Sequence, residues 1–103
     1  MKQLQDILYK ISLQTVVGPT AIPVSSVEID SRRIQKGSCF VAVKGVAGDG
    51  HLYISDAIAA GAVAIVCEEL PATTVPHVTY VQTNDAAKAA GMICHAFHGY
   101  PTQ

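Results

Sequence analysis

Five consecutive apolar residues, Cys39-Phe-Val-Ala-Val43, stand between Gly37 and Gly45, and this bracketed run limits the folds open to the chain more than any other feature. A strand with one wet face alternates apolar and polar side chains. A short β-branched run without alternation suits a strand covered on both faces of a sheet. Ala62-Val-Ala-Ile-Val-Cys67 reads the same way. Between the two runs, Leu52, Ile54, Ala57, Ile58 and Ala60 suit a helix that Gly61 ends. Strand, helix and strand with short links imply a right-handed parallel crossover.

The remaining segments extend that unit. Leu4, Ile7, Leu8 and Ile11 fall at helical spacing, so a first helix is expected from about residue 3 to 12. Val16-Val17-Gly18-Pro19-Thr20 reads as the turn that ends it, and Ile22-Pro23-Val24-Ser25-Ser26 as extended chain. Val27 to Ile29 is a short strand, Glu68 to Pro76 a polar surface connection, and Val78 to Gln82 a further strand. Asn84 or Asp85 then caps an alanine-rich helix that runs through Phe97 and stops at Gly99-Tyr100-Pro101. The expectation is an α/β fold in one compact domain, with a mostly parallel sheet of about four to five strands flanked by helices. Val27–Ile29, Phe40–Val43, Val63–Val66 and Val78–Val81 should share that sheet.

A chain of 103 residues holds one domain with a real core. Only 15% of the residues are charged and the net charge is −1, which gives no electrostatic basis for binding nucleic acid or an acidic membrane surface. Three cysteines, Cys39, Cys67 and Cys94, sit inside apolar runs, as buried thiols do in a reducing compartment, so the cytoplasm is the expected location. The amphipathic N-terminus lacks the apolar core of a signal peptide, and no apolar stretch reaches bilayer length. No membrane partner is expected.

Chemistry collects around the organising strand. Asp30-Ser31-Arg32 brings a carboxylate, a hydroxyl and a guanidinium out of a strand end together, although the same triplet also reads as a turn with a surface ion pair. After the strand, Gly45, Gly48 and Gly50 let backbone N–H groups approach a ligand closely. Asp49-Gly50-His51 has the chemistry of a helix entry, with Asp49 as cap and His51 either capping or reaching a ligand. Cys94, His95 and His98 cluster near the last helix, but structural zinc usually takes four ligands and no second pair lies at matching spacing. Neither a metal site nor a cysteine nucleophile is expected.

Asp30-Ser31-Arg32, Gly37, Phe40-Val41-Ala42-Val43, Gly45 and Asp49-Gly50-His51 together form a pattern that resembles the UDP-sugar-binding N-terminal domain of the Mur ligases of peptidoglycan synthesis. The likeness continues through Ala57-Ile58, Gly61-Ala62 and Val63 to Val66, and Ala96 to Pro101 resembles the family's lead into its ATP-binding domain. It is greatest to the tripeptide-synthetase branch (MurE type). The chain departs at Ser38 and Cys39, where the family commonly has an acid and Leu, and at Val46-Ala47-Gly48, which carries no polar side chain.

The resemblance implies that Ile29, Ser31 and the loop Val46, Ala47 and Gly48 line a UDP site. Arg32 and His51 adjoin it, Arg32 adding attraction or simply pairing with Asp30. It further implies an ATP- and Mg2+-dependent ligase that adds a third amino acid, meso-diaminopimelate or lysine, to UDP-N-acetylmuramoyl-L-alanyl-D-glutamate. Central ATPase and C-terminal domains would follow Gln103 as its intramolecular partners. This chain has no Gly-x-x-x-x-Gly-Lys-Ser/Thr loop, so by itself it is expected to be inactive and to need no cofactor. Two other readings remain open: the related ligase that adds D-alanyl-D-alanine, and a non-enzymatic interaction domain whose glycine loop is only a tight connection.

Overall fold

The computed structural model describes residues 2–8, 13–45, 48–49, 53–71, 75 and 77–98. In chain order the elements are β1 (Lys2–Gln3), α1 (Leu4–Ile7), β2 (Leu13–Val17), β3 (Pro23–Val24), β4 (Ser26–Glu28), β5 (Ser38–Val41), β6 (Lys44–Gly45), β7 (Gly48–Asp49), α2 (Ile54–Ala60), β8 (Ala64–Cys67), β9 (Thr79–Thr83) and α3 (Ala86–His98). A 3₁₀ turn, Ser31–Arg33, lies between β4 and β5.

Five strands form one sheet in the order β2-β9-β8-β5-β4. The last four in that order are mutually parallel, and β2 closes one edge antiparallel to β9. All four strands expected from the apolar runs therefore share the sheet. Their side chains divide between its faces by the two-residue period of a strand. Cys39, Val41, Ala64, Val66 and Val81 meet Leu4 and Leu8 of the first segment and Ala86, Ala89 and Ile93 of α3. Phe40, Ile65, Cys67 and Tyr80 point the other way, onto Ile34 and the α2 residues Ile54 and Ala57. Every residue of β5 and β8 is buried, the physical reason their sequences do not alternate. Burying a side chain as large as Phe40 or Ile65 contributes about 1.5–3 kcal/mol each.

The crossover from β4 to β5 spans only residues 29–37, shorter than the dozen or more residues usual between parallel neighbours. Two local devices make it fit. The 3₁₀ turn shortens the path, and Gly37, at φ +90°, accepts from Ser25 N (2.9 Å) while donating to Gly61 O (2.9 Å). Ser38 is fully buried. Its hydroxyl accepts from Gln35 N at 3.0 Å and bonds the Ser26 hydroxyl at 2.7 Å, tying the first residues of β4 and β5 together. Gly61 ends α2 as expected, in the left-handed region at φ +116°.

Several local expectations are corrected. Val16 and Val17 belong to a strand, Leu13–Val17, and not to a turn, because this segment's backbone completes the free edge of β9, a non-local pairing that no local pattern reveals. Of the helix expected from about residue 3 to 12, the described residues show α1 over Leu4–Ile7; residues 9–12 lie outside the described residues. Tyr53 occupies the N-cap position of α2, Asp49 lies in β7, and the Asp49 side chain lies outside the described residues. At α3, Asp85 is the side-chain cap, accepting from Lys88 N at 3.0 Å, while Asn84 accepts from the Gln14 amide of β2. Glu68, from the end of β8, adds a second cap by accepting from Ala86 N at 2.8 Å.

Candidate functional site

Because β4 and β5 are parallel and paired in register, with Val27 opposite Cys39 and Glu28 opposite Phe40, the chain leaves both strands at the same edge of the sheet. Ile29, Asp30 and the 3₁₀ turn emerge from β4 there, and Ala42, Val43 and β6 emerge from β5. The motif's two halves are thus brought to one edge by a single parallel pairing. It is also the edge at which ligands collect in open α/β sheets.

The geometry of Asp30-Ser31-Arg32 follows from the carboxylate. Asp30 caps the turn by accepting from Arg32 N (2.9 Å), and it holds the Arg32 guanidinium through Nε (3.1 Å) and Nη2 (2.9 Å). Those bonds hold the Asp30 carboxyl at about 2, below its ordinary 3.8. Arg32 therefore pairs with Asp30, and its charge is neutralised locally while its side chain stays 87% exposed. Ser31 is half-buried, and no described side chain engages its hydroxyl. Ile29 stands 58% exposed beside the turn.

Lys44–Gly45 pairs antiparallel with Gly48–Asp49, Lys44 opposite Asp49 and Gly45 opposite Gly48. The glycine stretch is therefore a narrow hairpin at this edge, with Gly48 on its returning strand. Val46, Ala47 and His51 lie outside the described residues, as do the side chains of Cys94, His95 and His98. Among the described residues no group of three or more His, Cys, Asp or Glu could hold a metal ion. The sequence carries no Gly-x-x-x-x-Gly-Lys-Ser/Thr phosphate loop. The edge also holds Tyr53, 47% exposed at the start of α2. It went unread in the sequence because an aromatic at a helix entry ordinarily signals packing.

A cavity of about 430 Å³ opens at the opposite edge of the sheet, where Lys36, Gly37, Val63 and Thr79 precede the parallel strands. Of the motif's residues its walls include Gly37 alone.

The sequence matches the Mur ligase family, catalytic domain, over residues 23–98. The chain belongs to the Mur ligase family. Within this family it is 46% identical over 101 residues to the UDP-N-acetylmuramoyl-L-alanyl-D-glutamate–2,6-diaminopimelate ligase of Cytophaga hutchinsonii, an alignment covering 97% of this chain and 21% of that protein. The enzyme of the same name from Phocaeicola vulgatus is 41% identical over 100 residues, covering 97% of this chain and 21% of its own length. The chain thus spans about a fifth of the curated Mur ligases that it matches. Among solved structures, MurF from Acinetobacter baumannii superposes with a TM-score of 0.59 at 23% identity, over 68% of this chain and 15% of that one. MurF from Thermotoga maritima does so with a TM-score of 0.57 at 26% identity, over 66% and 15%. These likenesses bear out the Mur ligase fold expected from the motif. Among the described residues no helix is long and apolar enough to cross a membrane.

Proposed function

We propose that this chain is the UDP-sugar-docking domain of a cytoplasmic, ATP- and Mg2+-dependent ligase that adds 2,6-diaminopimelate to UDP-N-acetylmuramoyl-L-alanyl-D-glutamate. The observation that carries the reading is the 46% identity, sustained over 97% of the chain, to a ligase named for that reaction. It favours diaminopimelate over lysine as the third amino acid. It also favours this ligase over the D-alanyl-D-alanine-adding type, whose likeness here rests on the fold at 23% to 26% identity.

In this reading Ile29, Ser31 and Arg32 from the β4 exit, with Val46, Ala47 and Gly48 of the hairpin and His51 after it, receive the uridine diphosphate end of the substrate. The Ser31 hydroxyl can donate and accept at once, and exposed hairpin amides can serve acceptors without a basic patch. ATP, Mg2+ and the incoming amine belong to the central and C-terminal domains, which are the intramolecular partners of this one. The docking domain then contributes binding energy far from the reacting carboxylate and lowers the entropic barrier to chemistry it does not perform.

The test is an assay of the full-length ligase for ADP release. Release that requires both UDP-N-acetylmuramoyl-L-alanyl-D-glutamate and diaminopimelate supports the reading. Release with lysine in place of diaminopimelate, or only with the tripeptide substrate and D-alanyl-D-alanine, overturns it. An interaction domain would leave this chain indifferent to every UDP-linked substrate in a binding titration.

A further inference from the structure

The cavity of about 430 Å³ at the starts of the parallel strands lies apart from the docking edge, and it has the size of a small-molecule site. One wall is the segment 19–25, through Pro19, Ile22 and Pro23. The other is Gly37 and Val63, which precede β5 and β8, with Thr79 of β9. An apolar gap between two segments ordinarily closes, because empty space forfeits contacts on both of its walls.

Here the segment is tethered and cannot settle onto the strands. Near its start, Pro19 O accepts from the Thr79 hydroxyl at 2.6 Å. At its end, Ser25 N donates to Gly37 O at 2.9 Å and the Ser25 hydroxyl donates to Lys36 O at 3.1 Å. The first helix holds its middle, with Leu4 N donating to Ile22 O and Gln5 N to Thr20 O, both at 2.8 Å. Pro19 and Pro23 add fixed φ angles. The segment is an arch pinned at both ends, and the cavity beside it is preformed.

The same bonds decide what the cavity selects. They use the hydrogens of both wall hydroxyls and of the Ser25 amide, and the amides of Gly37, Val63 and Thr79 donate to Gly61 O, Ser38 O and Val63 O. A phosphate or a polyhydroxylated ligand would find these donors spent, whereas an apolar body gains by leaving water. Charge enters at Lys36, an exposed residue of the cavity's lining that forms no ion pair among the described residues. No acidic residue joins it among the described lining residues, and His77 supplies an imidazole.

We propose that this cavity binds a small monocarboxylic acid with an aliphatic body, the chain lying against the arch and the carboxylate meeting the Lys36 ammonium. A single carboxylate matches a single uncommitted cation, and an aliphatic chain asks nothing of walls whose donors are engaged. The site is independent of the uridine-nucleotide reading, which concerns the other end of the strands.

The experiment is an NMR titration of the 103-residue chain with octanoate, 1-octanol and octylamine, which share one tail and differ in charge. Octanoate is expected to bind saturably and to shift the Ile22 and Val63 methyl signals and the Thr79 amide, with Ser31 unmoved. Octanol should bind about fivefold more weakly, the worth of one exposed ion pair, and octylamine more weakly still. Lys36→Gln should lower octanoate affinity about fivefold and leave octanol unchanged, a split that a merely structural role for Lys36 would not produce; Lys36→Arg should stay within about twofold of the parent. Val63→Phe, which fills the cavity, should lose both ligands, and the Lys36 variants carry the test should that variant fail to fold. Absent octanoate binding, equal binding of octylamine, or shifts centred on Ser31 would each overturn the proposal. So would concentration-dependent shifts of the same signals in the acid-free chain, which would assign the cavity to a second copy.

Discussion

Asp30 joins local structure to electrostatics at the scale of one residue. The same carboxylate that caps the 3₁₀ turn grips Arg32, so backbone and guanidinium together depress its pKa to about 2. Since the folded value lies below the ordinary 3.8, its contribution to stability is present above about pH 4 and is lost as pH falls toward 2. A carboxyl-carbon NMR titration should give a midpoint near 2, and Arg32→Ala should return it toward 3.8. An unchanged midpoint in that variant would show that another group sets the value. Ser31 is the contrasting case, a half-buried hydroxyl with no described side-chain partner. In the full-length ligase, Ser31→Ala should raise KM for the UDP-linked substrate roughly fivefold to tenfold with kcat nearly constant, because a remote docking contact stabilises ground and transition states alike. A fall in kcat at constant KM would place Ser31 in the chemistry instead.

At the scale of elements, the junction between α2 and the β4–β5 crossover depends on the absence of a side chain. A Cβ on Gly61 would sit 2.7 Å from Lys36 Cα, against backbone that cannot swing away, and φ +116° is itself unfavourable for an L-residue. Gly61→Ala should destabilise the domain by at least about 1–2 kcal/mol, read as a lower urea midpoint at constant m. A midpoint equal to the parent's would mean that the two segments move apart at little cost. On the same face of the sheet, Tyr80 is fully buried and its hydroxyl accepts from Val75 N at 2.9 Å, anchoring the connection that precedes β9. Removing that oxygen in Tyr80→Phe leaves a part-buried N–H without its acceptor, and chemical denaturation should register a loss of about 1–3 kcal/mol. If stability is unaffected, water must replace the hydroxyl.

For the whole molecule, a sheet covered on both faces leaves its edge at the ends of β4 and β5 as the proposed docking surface, with catalysis proposed for other domains. Calorimetric titration of this chain should therefore detect UDP-linked substrate and no stoichiometric, Mg2+-dependent binding of ATP. Tight ATP binding would contradict the division of labour proposed here. The buried thiol of Cys67, pushed up to about 11 by desolvation, belongs to the packing of this unit.

The buried strands, the helix ended by Gly61 and the family motif were legible in the sequence, because each depends on side chains a few residues apart. Apolar runs without alternation can be satisfied only between two layers, and Gly61 marks a backbone angle that other residues resist. The tertiary structure alone decided what depends on distant partners. Leu13–Val17 became a strand because β9 offered it an edge, Asp85 and not Asn84 capped α3 because Asn84 is engaged by Gln14, and Arg32 was neutralised by the way the turn folds onto Asp30. Above all, parallel pairing of β4 with β5 brought Ser31 and the hairpin to one edge. Residues far apart along the chain become neighbours only through such pairing, since local sequence specifies which segments are strands and non-local burial and hydrogen bonding decide which of them meet.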